Sequence, residues 1–248
     1  MAHIYKNTKM KTNYMNINQR NKKVALSRWQ KIHLGEKSLL KQNSDKYFLK
    51  ARLCGFLAGD GSVMIRKDND DKMHYVVRFF PDHDSLIEPF TESLFKVYNK
   101  KPIIKKNYSH NGLICYSKVV VEDLLGMTDF GLLEWRIPFN ILVDKKSKIE
   151  WLRAFFDCEA YVGKNHLKIQ TVNKKGMDDL EKLLLEFGIK SKRYIYHPKK
   201  KNWNNVYILL INSKSDRLKF LNTIGFNHKL KLSKLQNMLE SPNLVWHR

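Results

Sequence analysis

Hydrophobic and polar positions follow the same order twice along the chain, starting near residue 46. Each half opens with an apolar stretch in which small residues recur four positions apart, on one face of a helix. Two β-prone stretches follow, and then apolar residues at helical spacing predict an amphipathic helix. Two further strands and a short helix close each half. The pattern therefore predicts the order αββαββα, repeated once.

The predicted strands have closely matching places in the two halves. They are residues 62–67, 74–80, 102–108 and 113–117 in the first half, and residues 161–166, 167–172, 192–196 and 206–211 in the second. Short closing helices are predicted at 120–127 and 216–223. Asp82 and Asp84 stand where the N-cap of the first amphipathic helix belongs, because a short acidic side chain accepts hydrogen bonds from the first helical N–H groups.

The two halves align residue by residue. The segments YFLKARLCGFLAGDGSVMIRK and KIEWLRAFFDCEAYVGKNHLK contain matching stretches at an offset of 99, which sets Gly59 against Cys158 and Asp60 against Glu159. A tandem duplication folded about a pseudo-two-fold axis accounts for this match. The predicted class is α+β. The predicted divisions are a basic extension at 1–45, a first half at 46–145 and a second half at 146–248.

The small residues of the two opening helices have a consequence for the acids that end them. Helices with small residues facing each other approach more closely than the usual 8–10 Å between axes. Asp60 and Glu159 would then lie side by side at one end of the helix pair. Carboxylate oxygens are ligands that Mg²⁺ takes together with water and substrate phosphate oxygens. The sequence therefore predicts a divalent-metal site at these two acids.

The charge of the chain indicates a polyanionic partner. It carries 46 Lys and Arg against 24 Asp and Glu, a net charge of +22 with a pI near 9.8. Nucleic acid is the first candidate and an anionic membrane surface the second. No apolar run reaches the length of a membrane span, and the N-terminus lacks the apolar centre of a secretory signal. Three unpaired cysteines, Cys54, Cys115 and Cys158, suggest reduced, buried side chains and an intracellular protein.

The stretches LCGFLAGDG and LRAFFDCEA resemble the two motifs of the LAGLIDADG homing endonucleases in their single-chain form. The resemblance extends over roughly residues 46–240, including the spacing of the motifs and the layout of the repeat. It implies two four-stranded antiparallel sheets that form a DNA-binding saddle, with the motif helices between the halves. It further implies a monomer that hydrolyses both strands of a long asymmetric duplex target across the minor groove, leaving 3′ overhangs.

The resemblance gives Asp60 and Glu159 the role of metal ligands, for Mg²⁺ or another divalent cation such as Mn²⁺. It also implies basic residues directed at the scissile phosphates, and aligning LEWRIPFNIL with FNHKLKLSKL assigns this role to Arg136 and Lys229. There are two departures from the motif pattern. Ala160 stands where the second motif usually ends in Gly, and Pro81 lies where relatives place water-organising residues.

Alternation along the strands selects the candidate DNA contacts. Arg and Lys hydrogen-bond guanine edges and Gln hydrogen-bonds adenine. A lysine-rich hairpin loop, HPKKKNWNN, would contact the phosphate backbone. The candidates are Arg66, Lys67, Arg78, Lys164, Lys168, Gln170, Lys192, Tyr194, Lys199, Lys200 and Lys201.

Two questions stay open at the level of sequence. The same basic scaffold could serve an RNA maturase that assists intron splicing, or a DNA-binding protein that has lost cleavage. A chain that begins with Met favours an intron-encoded or free-standing protein over an intein. The first twenty or so residues suggest a flexible arm, and residues 22–42 one or two short helices broken near Gly35, which either face solvent or contact a phosphate backbone.

Overall fold

A computed structural model of the chain describes residues 17–42, 46–106, 111–200 and 202–240, without the side chains of residues 17–21, 29 and 39–42. The helices in these ranges are α1 (Ile17–Gln42), α2 (Tyr47–Asp60), α3 (Ile87–Tyr98), α4 (Lys118–Met127), α5 (Lys145–Glu159), α6 (Lys174–Glu186), α7 (Lys214–Thr223) and α8 (Lys229–Glu240). The strands are β1 (Gly61–Lys67), β2 (Met73–Phe79), β3 (Ile103–Lys106), β4 (Asn111–Tyr116), β5 (Tyr161–Val162), β6 (Leu167–Thr171), β7 (Lys192–Tyr196) and β8 (Val206–Ile211).

Each half contributes one four-stranded sheet. The strand orders are β1-β2-β4-β3 and β5-β6-β8-β7, and every pairing is antiparallel. Helices α2, α3 and α4 occupy the same places in the first half as α5, α6 and α7 in the second. The predicted α+β tandem repeat with two four-stranded antiparallel sheets is therefore confirmed. Helix α8 follows α7 and has no equivalent between α4 and α5, a stretch that the structure describes in full.

The strand after the second motif is much shorter than predicted. The alternating pattern suggested a strand over 161–166, but β5 ends at Val162. The N–H of Gly163 donates to the carbonyl of His166 at 2.9 Å, which closes a tight turn directly after the strand. The corresponding strand of the first half, β1, runs for seven residues. The two sheets thus differ most where the motif helices enter them.

Helix α1 is one continuous helix of 26 residues. The predicted break near Gly35 is wrong: this glycine lies within the helix, with no atom within 4 Å of where its Cβ would be. An exposed glycine costs a helix about 1 kcal/mol but does not by itself end it. The flexible arm predicted for the first residues lies outside the described residues up to residue 16.

The N-cap before α3 is a histidine and not one of the two predicted aspartates. His83 Nδ1 accepts the backbone N–H of Ser85 at 3.1 Å and starts a short 3₁₀ turn, Asp84–Leu86, that leads into α3. Asp84 accepts the side-chain amide of Asn111. Asp82 faces His228 and Lys231 of the second half. Both aspartates therefore bind residues that are distant in sequence, which local spacing does not reveal.

The core lies between each sheet and its helices. In the second sheet Leu167 and Ile169 are buried against the helices, and Lys168 between them faces the other side. In the first half the rings of Phe56, Phe79 and Phe90 pack together, with centroids 4.7–6.2 Å apart. One buried hydrophobic cluster continues through both halves, so the two sheets are backed by a single core.

The sequence made two predictions about the surroundings of the chain, one from its cysteines and one from the length of its apolar runs. All three cysteines are buried and free, which agrees with the expectation of reduced side chains. Within the ranges that the structure describes, no helix combines the length and apolar character needed to cross a membrane.

Candidate metal centre and nucleic-acid face

The motif helices α2 and α5 approach until their backbones are nearly in contact. A Cβ added to Gly55 would lie 2.5 Å from the carbonyl oxygen of Trp151 and 2.9 Å from the Cβ of Ala154. A Cβ added to Gly59 would lie 2.4 Å from the Cβ of Cys158. Real Cβ atoms do not come this close, so only glycine fits at either position. The close approach predicted from the small residues is confirmed.

This packing brings the two terminal acids of the motif helices together. Glu159 Cγ lies 3.6 Å from where a Cβ on Gly59 would be, one residue before Asp60. Burial and the negative charge of Asp60 raise the pKa of Glu159 to about 7. Burial and the charge of Asp82 raise the pKa of Asp60 against the opposing charge of Lys231. Two partly buried carboxylates that repel each other are a site suited to a cation.

Gly61, which ends the first motif, is required sterically, and the second motif has Ala160 in its place. A Cβ on Gly61 would lie 2.6 Å from the Cα of Leu57 and 3.0 Å from the carbonyl oxygen of Arg78. Ala160, at the equivalent place, has φ −76° and ψ 130° and turns its backbone away, with its N–H on the carbonyl of Phe156. The substitution noted in the sequence thus coincides with the early end of β5.

Lys231 is the basic residue that the structure places at the acids. Its Nζ donates to the backbone carbonyls of Asp157 and Cys158 at 2.5 and 2.8 Å, at the C-terminal end of α5. It also lies 3.6 Å from a carboxylate oxygen of Asp82. The lysine charge lowers the pKa of Glu159, against burial and the charge of Asp60. Cations at a helix C-terminus are stabilised by the helix dipole.

Asp157 holds the start of α8 beside the acids. The carboxylate is fully buried, and it accepts the backbone N–H groups of Asn227 and His228 at 2.8 and 2.9 Å and the Asn227 side-chain amide at 3.0 Å. Burial outweighs these hydrogen bonds and raises the pKa of Asp157 to about 6. This anchoring explains how Lys231, one turn into α8, reaches the end of α5.

A second group of charged side chains joins α8 to the first half. His228 Nδ1 accepts the backbone N–H of Lys231 at 3.3 Å, and its Nε2 faces Asp82 Oδ1 at 3.4 Å. The rings of His83 and His228 lie 4.6 Å apart. Burial disfavours the charge of Asp82, but its contacts with His228 and Lys231 prevail and lower the pKa of this carboxyl. Asp82 therefore stays ionised next to the paired acids.

The two basic residues chosen from the sequence lie elsewhere. Lys229 is exposed at the start of α8, and its backbone N–H donates to Ser85 Oγ at 3.2 Å. The Arg136 guanidinium is bound by Asp179 on α6, with two nitrogens each 2.7 Å from the same carboxylate oxygen. Neither side chain contacts the paired acids in the contacts described. Their roles at the scissile phosphates stay predictions.

The donor set at the acids is small. Among the described residues no group of three or more His, Cys, Asp or Glu side chains is arranged to hold a metal ion. Asp60 and Glu159 would therefore be two ligands of an incomplete shell, and Asp82 is engaged by His228 and Lys231. Such a set fits Mg²⁺ or Mn²⁺, because Mg²⁺ retains several waters and binds one or two carboxylates together with substrate phosphates. Asp60 and Glu159 would supply those carboxylates.

The first sheet brings Arg66 and Arg78 onto one face. Arg66 pairs with His74 and Arg78 with Ser62 in the β1–β2 register, which puts all four on the side opposite the buried Val77. Lys67, the next residue after Arg66, points to the other face and forms an ion pair with Asp71 at 2.7 Å.

The second sheet brings four of the predicted residues together. Lys168 is aligned with Leu210, which is aligned with Lys192, and Gln170 is aligned with Ile208, which is aligned with Tyr194. This face lies opposite the core, and Lys168 Nζ lies 5.2 Å from the centroid of the Tyr161 ring. We call the exposed sides of the two sheets the sheet face.

The loop candidates lie at the ends of the second sheet. Lys164 is exposed in the β5–β6 turn, and Lys199 and Lys200 are exposed in the loop between β7 and β8. Lys200 Nζ lies 4.8 Å from the ring centroid of Trp203, which is 62% exposed. Lys201 lies outside the described residues. DNA contact by all of these residues stays a prediction.

The sequence did not identify Lys231, Asp82 and His228 as members of the site. FNHKLKLSKL contains three lysines in ten residues, and the choice among them depends on where α8 begins. The buried acid Asp157 fixes that start by binding two backbone N–H groups. Asp157, two positions before the terminal acid of the second motif, was the available signal.

Much longer proteins contain a segment similar to this chain, which spans about 12–21% of their length. Replication factor C small subunit from Methanocaldococcus jannaschii is 31% identical over 241 residues, 92% of this chain but 12% of that protein. The Thermococcus kodakarensis protein of the same name is 33% identical over 197 residues, 78% of this chain and 21% of its own length. Glutamine–fructose-6-phosphate aminotransferase from M. jannaschii is 26% identical over 199 residues, 76% of this chain and 17% of that protein.

Solved structures with the same fold include the homing endonuclease I-DmoI. Its mesophilic variants match with a TM-score of 0.60 and 21% identity, over 72% of this chain and 96% of theirs. I-DmoI in complex with DNA and Mn matches with a TM-score of 0.58 and 22% identity, over 72% of this chain and 97% of that one.

The family comparison agrees with the fold. The model of the LAGLIDADG-like domain matches residues 146–225, which run from the start of α5 to the end of α7. The resemblance stated from the two motifs is thereby confirmed. Residues 146–225 belong to the LAGLIDADG-like domain family, and the chain as described has the two-motif LAGLIDADG fold.

Proposed function

We propose that the chain is a site-specific, divalent-metal-dependent endonuclease that hydrolyses both strands of duplex DNA. The observation that carries the proposal is the contact between Gly59 and Cys158, which crowds the carboxylates of Asp60 and Glu159 into one site. Cleavage across the minor groove with 3′ overhangs is part of the proposal, because it follows from the resemblance of the motifs.

The chain's own residues have distinct tasks in this reaction. Asp60 and Glu159 would hold the cation, and its positive charge would offset the repulsion between the two ionised carboxylates. A bound divalent cation supplies Lewis-acid chemistry, which activates water and stabilises the leaving oxygen of the phosphodiester. Lys231 keeps a positive charge beside the acids through its hydrogen bonds to α5, and that charge offsets the negative charge that develops on the phosphate.

Charge supports duplex DNA as the substrate. A net charge of +22 favours a polyanion, and Arg66, Arg78, Lys168 and Lys192 put part of that charge on the sheet face. The solved I-DmoI complex contains DNA and Mn, which supports the same substrate and a divalent cofactor for this chain.

The sequence relatives support an origin as a mobile element. Proteins named as a replication factor and as an aminotransferase share the segment, although their names indicate unrelated activities. The shared segment is 12% and 17% of their lengths. A segment that recurs inside functionally unrelated proteins is what insertion of a mobile coding sequence leaves behind.

The test is cleavage of the DNA into which the coding segment would insert. Plasmids carry the locus that encodes the chain with the coding segment removed, and are incubated with the full chain in Mg²⁺ or in EDTA. We expect linear product with 3′ overhangs in Mg²⁺ alone, and its loss in Asp60→Asn and Glu159→Gln. Glu122→Gln, which removes one charge from the exposed side of α4, is the matched control and should cleave normally.

The same assay separates the alternatives. Binding of the locus without cutting in any divalent metal would contradict the endonuclease and favour a non-cleaving DNA-binding protein. Rescue of intron splicing that survives Asp60→Asn, without cleavage of DNA, would favour the RNA maturase.

A further inference from the structure

Helix α1 carries a concentration of positive charge that the sheet face does not account for. Its 26 residues contain seven Lys and Arg and a single acid, Glu36. The side chains of Lys22, Lys23, Arg28 and Lys31 are exposed. No ion pair joins these four to an acid within the part of the chain that the structure describes.

The one acid of α1 is used to attach the helix to the first half. Glu36 forms an ion pair with Lys100 and accepts the Ser117 hydroxyl at 3.1 Å. These contacts place the C-terminal part of α1 near the end of α3 and the start of α4. The acid is thereby neutralised within the protein, so the remaining charge of the exposed helix is positive.

The attached part of α1 lies beside the sheet face. Ile32 and His33 of α1 line a cleft of about 640 Å³ together with His74 and Tyr116. His74 is aligned with Arg66 in the β1–β2 register, so the cleft borders the outer end of the sheet face. The four exposed cations are 5 to 14 residues before Glu36, which corresponds to about 8–21 Å along the helix.

The chemistry of α1 favours nucleic acid over a membrane or a protein. The exposed apolar side chains Val24, Leu26, Ile32 and Leu34 point in different directions around the helix and form no apolar face. An interfacial membrane helix needs such a face, and so does a helix that docks in a protein groove. A phosphate backbone needs only exposed cations at its edge.

We propose that the exposed basic residues of α1 bind the phosphate backbone of duplex DNA beyond the segment that lies on the sheet face. The inference rests on the proposed function, because it takes duplex DNA as the partner of the sheet face. The helix would lengthen the bound segment on the side of the first half only. It adds affinity without base specificity, since backbone contacts carry no sequence information.

The test compares the length of DNA that each variant needs. The full chain is titrated in EDTA with an excess of duplexes from about 16 to about 48 base pairs, so that one protein binds each duplex. One variant reverses the charge of α1 at Lys22, Lys23, Arg28 and Lys31 to Glu. The control reverses four equally exposed lysines on the helices behind the second sheet, Lys145, Lys175, Lys182 and Lys214, to Glu.

We expect wild-type affinity to rise with length and to level off about 6 base pairs later than that of the α1 variant, because about 21 Å of helix spans about 6 base pairs. On long duplexes the slope of log K against log salt should decrease by up to about 3.6 in the α1 variant, at about 0.9 per phosphate contact. Circular dichroism and thermal unfolding establish that each variant is folded.

Three outcomes would overturn the inference or its basis. Equal length dependence in the wild type and the α1 variant would contradict binding by α1. A loss of affinity that is the same in the control variant would show a general effect of net charge and would also contradict it. Failure of the wild-type chain to bind duplexes of every length would overturn the proposed function itself, and thereby also this inference.

Discussion

The segments that follow the closing helices, residues 128–144 after α4 and residues 224–231 after α7, have equivalent places in the fold and different chemistry. After α4, the first closing segment crosses to the second half, where the Trp135 ring packs on Phe155 with centroids 4.7 Å apart and its carbonyl accepts the Asn173 amide. After α7, the second closing segment crosses to the first half, where His228 and Lys231 face Asp82.

The difference shows how a duplicated fold divides its tasks. The first closing segment packs aromatic rings and uses its one guanidinium, that of Arg136, in an ion pair with α6. The second places a lysine at the C-terminal end of α5, beside the paired acids. In the contacts described, the first half supplies no cation to those acids. The backbone symmetry is therefore kept, and the symmetry of charge is not.

The largest expected effect is on the rate of DNA cleavage, and it distinguishes Lys231 from Arg136. Lys231→Met should lower the rate of DNA cleavage by about 10²–10³-fold, because one preorganised charge near the reacting phosphate is worth that much. Arg136→Met should leave the rate within a few-fold and should lower the free energy of unfolding by about 1 kcal/mol, since its partner is Asp179.

Single-turnover cleavage and denaturant unfolding measure the two effects separately. Lys234→Met is the matched control, since it lies on the same helix and its side chain is exposed. An equal rate loss in Arg136→Met would break the comparison and restore the symmetric roles predicted from the sequence.

The next effect tests the contact that both halves share. Gly59→Val should destabilise the protein by about 3 kcal/mol, because overpacking a close interface forces backbone shifts. Gly126→Ala on α4 is the control: nothing lies within 4 Å of the added Cβ, and about 0.4–1 kcal/mol of stabilisation is expected. Urea unfolding gives both values, and a tolerated valine at position 59 would contradict the helix contact.

These residues also show what sequence could and could not predict. The spacing of Gly55 and Gly59 predicted the helix contact, because periodicity alone decides which residues share a face. The spacing of lysines did not identify Lys231, since that choice depends on a buried acid, Asp157, that fixes the start of α8. Arg136 was assigned by alignment with Lys229, and alignment carries no information about Asp179.

Some predictions from local sequence were confirmed to the residue, and one that depends on distant partners was wrong. The strands Lys192–Tyr196 and Val206–Ile211 were predicted to the residue. The cap before α3 was wrong because Asp82 is bound by the second half and His83 takes its place.

The pH dependence tests whether the acids repel each other without metal. The pKa of Glu159 is raised to about 7 in the folded chain, so the folded state prefers the neutral carboxyl. This contribution to stability is complete below about pH 4.5 and is lost as the pH rises to about 7. Its size is at most about 3 kcal/mol, at about 1.4 kcal/mol per pKa unit.

Thermal unfolding in EDTA across this range measures the loss, and Glu159→Gln should reduce it, leaving the part that comes from the raised pKa of Asp157. Added Mg²⁺ should stabilise the wild type most near pH 7, where the carboxylates are ionised. A stability that rises from pH 4.5 to 7 in the wild type, and equally in Glu159→Gln, would contradict the apposed acids.

The smallest expected effect concerns the two hydrogen bonds that attach the closing segments, one between Asn173 and Trp135 and one between Ser85 and Lys229. Asn173→Ala removes the N-cap of α6 and the hydrogen bond to Trp135, and should cost about 2 kcal/mol. Ser85→Ala, which loses the contact with the Lys229 N–H at 3.2 Å, should cost about 0.5–1 kcal/mol. Unfolding in urea compares them, and the reverse order would contradict a mainly structural role for the first closing segment.

The most direct test of the central claim is a crystal structure of the full chain with cleavable duplex DNA and Ca²⁺. The account predicts a cation bound by one carboxylate oxygen of Asp60 and one of Glu159, each about 2.3–2.6 Å away, with a phosphate oxygen completing the shell. Asp60 and Glu159 carboxylates separated by more than about 8 Å, or cations bound only elsewhere, would contradict it.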